Sequence, residues 1–260
     1  MVIRENDTPK TLARKVQLAT VLGTWQSTLT DFKYLRKIWK DNTEEERLLG
    51  VSLTGQFGNK FFSGKEDLVK LEKVLSDLRD TARSANEAEA AKIGIQSSAA
   101  ITCVKPSGTV SQLVGVSSGM HPWHSPYYIR TVRGDKKDPL SIFLKEVGIP
   151  YEDDFMKPND TYVFSFPVKA PEGAVLRDEL TAIDHLNTWL VYQRAWCEHK
   201  PSITVSVRDD EWMAVGAWVW EHFDEVSGIS FLPYSDHSYK QAPYQEVTET
   251  EYLETRCRRS

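Results

Sequence analysis

The spacing of apolar positions changes several times along the chain, and each change marks an element. Leu12, Val16, Ala19 and Leu22 keep helical spacing up to about Trp25, with Asp7 or Thr8 as cap and Pro9 at the first helical position. After a Ser/Thr-rich break at 27–31, Phe32, Leu35, Ile38 and Trp39 predict the inward face of a second helix. A charged capping stretch at 42–47 follows, and 48–57 reads as a strand ending in a glycine-marked loop. From Glu66 to Ala91 the positions Leu68, Leu71, Val74, Leu75, Leu78, Ala82 and Ala85 share one stripe of a long helix. Ala99 to Val104 is short and partly β-branched, which predicts a buried strand that Pro106 ends.

Residues 117–138 are irregular and rich in His, Pro, Tyr and Arg, a loop of a length that is often functional. Beyond it come a short helix at 141–147 closed by Gly148, a strand at 162–168, and a helix at 181–199 bearing Ile183, Leu186, Trp189, Leu190 and Ala195. The last third alternates strand 203–207, helix 211–223 and strand 229–232, the βαβ order of parallel strands. From Tyr239 onward an ordered peripheral tail turns polar, ending in the basic run Arg256-Cys257-Arg258-Arg259-Ser260. With neither repeats nor a linker, the pattern predicts one α/β unit.

Composition narrows the class. At 260 residues, 40% apolar and 27% charged, the chain can bury a sizeable core. A net charge of −5 points away from a general nucleic-acid or membrane-surface binder. No apolar run approaches the ~20 residues needed to cross a bilayer, and the N-terminus lacks a signal-peptide core. Cys103, Cys197 and Cys257 have no C-x-x-C spacing, which argues against a disulfide framework or zinc cluster and fits a reducing cytoplasm.

The stretch with most chemical promise is Lys105-Pro106-Ser107-Gly108-Thr109-Val110-Ser111. A strand that runs through a Ser/Gly/Thr turn into a helix can offer free N–H groups to a phosphate; it can equally be an ordinary capped helix. It is not a Walker loop. His121 and His124 have a spacing that could serve a metal, but Pro122 forbids a regular helix between them and no third ligand lies close. Arg130 and Arg133 could clamp an anion or make surface salt bridges. His185 and His199 read as structural, Cys103 as a small buried hydrophobe, and Cys197 as lacking an activating base. Asp153-Asp154 and Asp209-Asp210 read as loop and cap positions.

Two ordered blocks carry a family resemblance: Ile101-Thr102-Cys103-Val104-Lys105-Pro106-Ser107-Gly108-Thr109-Val110-Ser111-Gln112, and Ser118-Gly119-Met120-His121-Pro122 with Ser125-Pro126-Tyr127-Tyr128-Ile129-Arg130. With 19–28, 46–55 and 228–233 they resemble the ribonucleotide reductase large chain, and within it the adenosylcobalamin-dependent (class II) ribonucleoside-triphosphate reductases. The iron-dependent reductases carry a Pro-Thr-Ala-Ser type loop where this chain has Pro106-Ser107-Gly108-Thr109, which favours the cobalamin type. The resemblance implies an α/β fold over 1–260, the C-terminal part of a ten-stranded α/β barrel. It further implies that Ser107, Gly108, Thr109, Val110 and Ser111 hold the substrate's phosphates. The implied reaction reduces ribonucleoside triphosphates to 2′-deoxyribonucleoside triphosphates, with adenosylcobalamin as cofactor and a thioredoxin-type reductant. The family's Asn-x-Cys-x-Glu finger loop and its C-terminal cysteine pair are missing, so no catalytic residue carries over and no metal ligand is assigned. The expectation is a barrel portion cut at both ends that needs an N-terminal reductase polypeptide. The alternatives are a non-catalytic phosphate-binding remnant and a decayed fragment.

Overall fold

The computed structural model describes residues 1–234 and 240–257. The chain divides into two compact units where the sequence pattern predicts one. The larger comprises Met1–Pro122, Gly173–Val175 and Glu179–Tyr234; the smaller comprises Trp123–Glu172, Leu176–Asp178 and, of the described residues, 240–257.

The larger unit opens with α1 (Pro9–Gln26), where Thr8 accepts from the Thr11 N–H and Thr11 reaches back, a capping box with Pro9 inside it. Its buried face is Leu12, Val16, Thr20 and Thr24, while Leu22 and Trp25 are half exposed or more. The predicted stripe therefore turns away after Val16. The two threonines can be buried because each hydroxyl donates to a carbonyl four residues back. In α2 (Lys37–Glu46) no residue is buried, and Leu35, Ile38 and Trp39 stand exposed rather than inward. The long stripe becomes α3 (Leu68–Ile93), capped by Asp67 and ended by Gly94 at φ +71°.

That helix links two parallel strands, β1 (Val51–Ser52) and β2 (Thr102–Cys103). Both are shorter than predicted, although backbone bonds from Leu49, Val51 and Leu53 to Ala100, Ile101 and Cys103 extend the ladder. The predicted βαβ unit has parallel β6 (Ile203–Val207) and β7 (Ile229–Pro233) around α7 (Trp212–Glu221). Helix α6 (Ala182–Ala195) plugs the core with Trp189 and Tyr192, and Trp196 follows at its C-terminal cap, all fully buried. Their polar tips are satisfied: Tyr192 donates to Phe62 O at 2.7 Å and Trp196 to Cys103 O at 2.8 Å.

The smaller unit is an antiparallel sheet, β4-β5-β3-β8, built from β3 (Tyr127–Asp135), β4 (Tyr151–Asp153), β5 (Thr161–Lys169) and β8 (Tyr244–Glu246). Nine residues of the predicted irregular loop are thus strand β3, registered with β5 from Tyr127↔Lys169 to Asp135↔Thr161. The predicted peripheral tail contributes β8 to that sheet and forms α8 (Glu249–Cys257). Helix α5 (Pro139–Glu146) lies between β3 and β4 in sequence. Residues 235–239 and 258–260, with the side chain of Cys257, lie outside the described residues. Among the described residues no helix is long and apolar enough to cross a membrane.

Candidate phosphate loop

Strand β2 delivers the chain into the loop of interest. Lys105 N–H donates to Ser52 Oγ at 3.0 Å, tying the start of the loop to β1. Helix α4 (Gly108–Leu113) then begins with Ser107 in the cap position, yet Ser107 makes no side-chain capping bond. Its hydroxyl turns to Thr54, Oγ to Oγ1 at 2.7 Å.

Counting protons decides the direction of that bond. Thr54 donates its own hydroxyl to Ser117 O at 3.1 Å, so Ser107 must donate to Thr54. The Gly119 N–H then points at both hydroxyl oxygens, 2.9 Å from Thr54 Oγ1 and 3.2 Å from Ser107 Oγ. Gly119 sits at φ +49°, and a Cβ there would lie 3.2 Å from Lys105 O, so glycine lets the turn approach the loop this closely. The result is a part-buried polar knot of Thr54, Ser107 and Gly119 under the start of α4.

Each predicted site residue has a distinct place. Gly108 is exposed, and a Cβ on it would meet nothing within 4 Å. Val110 is 62% exposed, leaving its turn of helix open above. Ser111 is fully buried, and both its N–H and its hydroxyl donate to Ser107 O, so it braces the turn from beneath. Ser107 also works from beneath, through Thr54. The backbone of Thr109 lies in α4; its side chain is outside the described residues. The first N–H groups of a helix have no acceptor within it, so a turn whose capping hydroxyl faces elsewhere presents donors and a positive dipole end to whatever lies above.

The remaining candidates are held in other ways. His121 ends the turn that carries Gly119: Nδ1 lies 2.8 Å from Ser118 O and Nε2 3.1 Å from the Thr204 N–H. Burial lowers its pKa, against the raising effect of the Ser118 bond. His185 is buried with Nε2 2.6 Å from Met120 O, and burial pushes its pKa down to about 4. His199 Nε2 lies 2.7 Å from Leu49 O. In the smaller unit His124 stacks on Tyr244, and the Arg130 guanidinium sits 4.4 Å over the same ring. Arg133 pairs with Asp154 at 2.7 Å, and that bond holds the Asp154 carboxyl below its usual range. Asp154 is buried and also accepts from the Met156 and Lys157 N–H groups. Among the described residues no group of three His, Cys, Asp or Glu side chains could hold a metal ion. Cys103 is fully buried, and burial raises both its thiol and that of Cys197.

The sequence reading missed Thr54 and Glu198. Thr54 is 53 residues from Ser107, and nothing local marks it. Glu198 clamps the outer edge of β2, accepting from the Ile101 and Thr102 N–H groups at 2.8 and 3.1 Å.

No family model matches the chain. An adenosylcobalamin-dependent ribonucleoside-triphosphate reductase of Lactobacillus acidophilus is 29% identical over 250 residues, 86% of this chain and 33% of that protein. A probable enzyme of the same description from Dictyostelium discoideum is 31% identical, covering 82% of this chain and 29% of that protein. The chain thus spans about a third of the length of these relatives. The crystal structure of a B12-dependent (class II) ribonucleotide reductase matches the fold with a TM-score of 0.81 at 23% identity, over 94% of this chain and 38% of that one. In sequence this chain is similar to a portion of the adenosylcobalamin-dependent ribonucleoside-triphosphate reductases, and its fold is that of the matching portion of the class II enzyme.

Proposed function

We propose that this chain supplies the substrate-phosphate loop and the second half of the barrel of a ribonucleoside-triphosphate reductase, an enzyme of deoxyribonucleotide synthesis in the cytoplasm. The observation that carries the reading is the opening of α4, where the Ser107 hydroxyl is spent on Thr54 rather than on capping the helix. In this reading the N–H groups of Gly108, Thr109 and Val110 face a triphosphate, with Ser107 and Ser111 bracing them from beneath. Lys105, exposed beside the loop, adds positive charge.

Adenosylcobalamin, the cofactor named for the relatives, supplies the radical that starts the reaction when bound. Among the described residues no thiol fits a partner role toward it: Cys103 is fully buried, out of a cofactor's reach, and the raised pKa of both Cys103 and Cys197 disfavours the thiolate that disulfide exchange needs. Radical and redox groups therefore belong, in this reading, to an N-terminal polypeptide, with a thioredoxin-type reductant restoring the enzyme. The same cysteines favour the second reading, a phosphate-binding remnant without turnover.

The test is triphosphate reduction with adenosylcobalamin and a dithiol, with and without a co-expressed N-terminal portion of such a reductase. Turnover only in the mixture, lost in Gly108→Phe while the unfolding temperature holds, supports the reading. Because a Cβ at 108 meets nothing within 4 Å, a side chain there starts into open space above the loop rather than into the core. Triphosphate binding without turnover in any mixture leaves the remnant.

A further inference from the structure

The turn that carries Gly119 is held by a residue to which the phosphate reading gives no role. The two ring nitrogens of His121 have opposite jobs. Nε2 faces the Thr204 backbone N–H at 3.1 Å, and Nδ1 faces the Ser118 carbonyl at 2.8 Å. An N–H can only donate and a carbonyl can only accept. The contacts therefore require a bare Nε2 and a proton on Nδ1, the neutral ring in one tautomer.

We propose that His121 is the positioning residue of the phosphate loop: as a neutral, Nδ1-protonated ring it pins the 118–121 turn to β6 and so sets where α4 begins. The path is continuous. His121 fixes Ser118 and the turn; the turn aims the Gly119 N–H at Thr54 and Ser107; Ser107, the residue before α4, takes its place from those two bonds. The linkage stands on these contacts alone, and only its consequence for a ligand rests on the phosphate reading.

Protonating Nε2 would set two donors face to face, so an imidazolium cannot keep the Thr204 bond. The surroundings do little to welcome that charge. Strand β6 offers Ile203, Thr204, Val205, Ser206 and Val207, none of them charged. The titratable group packed against the ring from α6 is His185, 6.3 Å away and itself committed to Met120 O. From the turn itself the ring takes the Ser118 carbonyl. The neutral ring therefore persists at pH 7, and the pin is released only in acid, below the ordinary histidine range.

The experiment uses the full chain, isotopically labelled, as wild type, His121→Asn and His121→Gln. Asparagine places an N–H near the Nδ1 position and has no proton to gain; glutamine offers an oxygen toward Thr204. Ring and amide nitrogen shifts are followed from pH 7 to 4.5, together with calorimetric binding of inorganic tripolyphosphate. The expected result is an Nδ1–H tautomer at pH 7, with Gly119 and Gly108 amides moving on the His121 titration, a step absent from His121→Asn. Wild type should also lose about five-fold or more affinity for tripolyphosphate on acidification beyond the loss in His121→Asn. That comparison cancels the titration of the probe itself. A proton on Nε2 at pH 7, or Gly119 and Gly108 amides that stay still while His121 titrates, would overturn the proposal. Should the variants not fold, the wild-type titration decides alone. An amide step without any tripolyphosphate binding would uphold the positioning role and refute the phosphate reading instead.

Discussion

Replacing Glu198 with alanine asks how β2, the strand that feeds the loop, keeps its place. One carboxylate oxygen accepts from the Ile101 and Thr102 N–H groups at 2.8 and 3.1 Å, and the other pairs with Arg83 at 2.6 Å. The Thr102 hydroxyl is not counted, because its single proton goes to the nearer Trp196 carbonyl. Two donors on the outer edge of a buried strand would lose their acceptor, at about 1–3 kcal/mol each. The Arg83 pair adds at most about 1 kcal/mol, because that guanidinium is half in water. Some water reaches the site, since the Glu198 side chain is 12% exposed, so the expected loss is about 3 kcal/mol. For a chain of this size that is a fall of about 6–12 °C in Tm. Urea unfolding followed by tryptophan fluorescence measures it.

The pH dependence sharpens the same test. Burial raises the pKa of Glu198, but the Arg83 bond and the two N–H groups outweigh it and leave the value below the ordinary 4.5. A depressed carboxyl stabilises the fold above its unfolded pKa, and that contribution is lost as pH falls through the folded value. The gap between wild type and Glu198→Ala should therefore be full at pH 7 and shrink below about pH 4.5. A gap under about 1 kcal/mol at pH 7, the scale of one ordinary hydrogen bond, or one that persists unchanged to pH 3, would refute the argument.

Gly134→Ala should cost about 1–3 kcal/mol, because its Cβ would fall 2.3 Å from Ser141 Oγ; chemical denaturation should show most of the loss recovered in the double variant with Ser141→Ala. Asn86→Ala should cost about 2–4 kcal/mol in the same assay. It strips partners from Thr24 Oγ1, Ser98 Oγ and the Ser98 N–H around a side chain that is 1% exposed. In a Cys197→Ser, Cys257→Ser background, thiol reagents at pH 8 should label Cys103 no faster than global unfolding, and labelling of the folded chain would contradict its burial.

Much of the architecture is written locally. The seven-position stripe of α3, the Thr8–Pro9 start of α1 and the strand–helix–strand order at 203–233 rest on the spacing of neighbouring side chains, which the covalent chain sets by itself. The same spacing says that a helix has an apolar face but not what covers it. Leu35, Ile38 and Trp39 keep a helical period and still stand exposed. Strand β3 was illegible for the opposite reason: Arg130, Thr131 and Arg133 interrupt its alternation, and its order comes from β5, whose pairs lie 26–42 residues away. The candidate loop divides in the same way. Its strand, turn and helix start were readable, and by local rules Ser107 should cap α4. Tertiary structure withdrew that cap: the hydroxyl turns to donate to buried Thr54, and its oxygen accepts from the Gly119 N–H instead of from an amide of α4. Which donor meets which acceptor once water is gone is a property of the assembled core, and no stretch of sequence contains both partners.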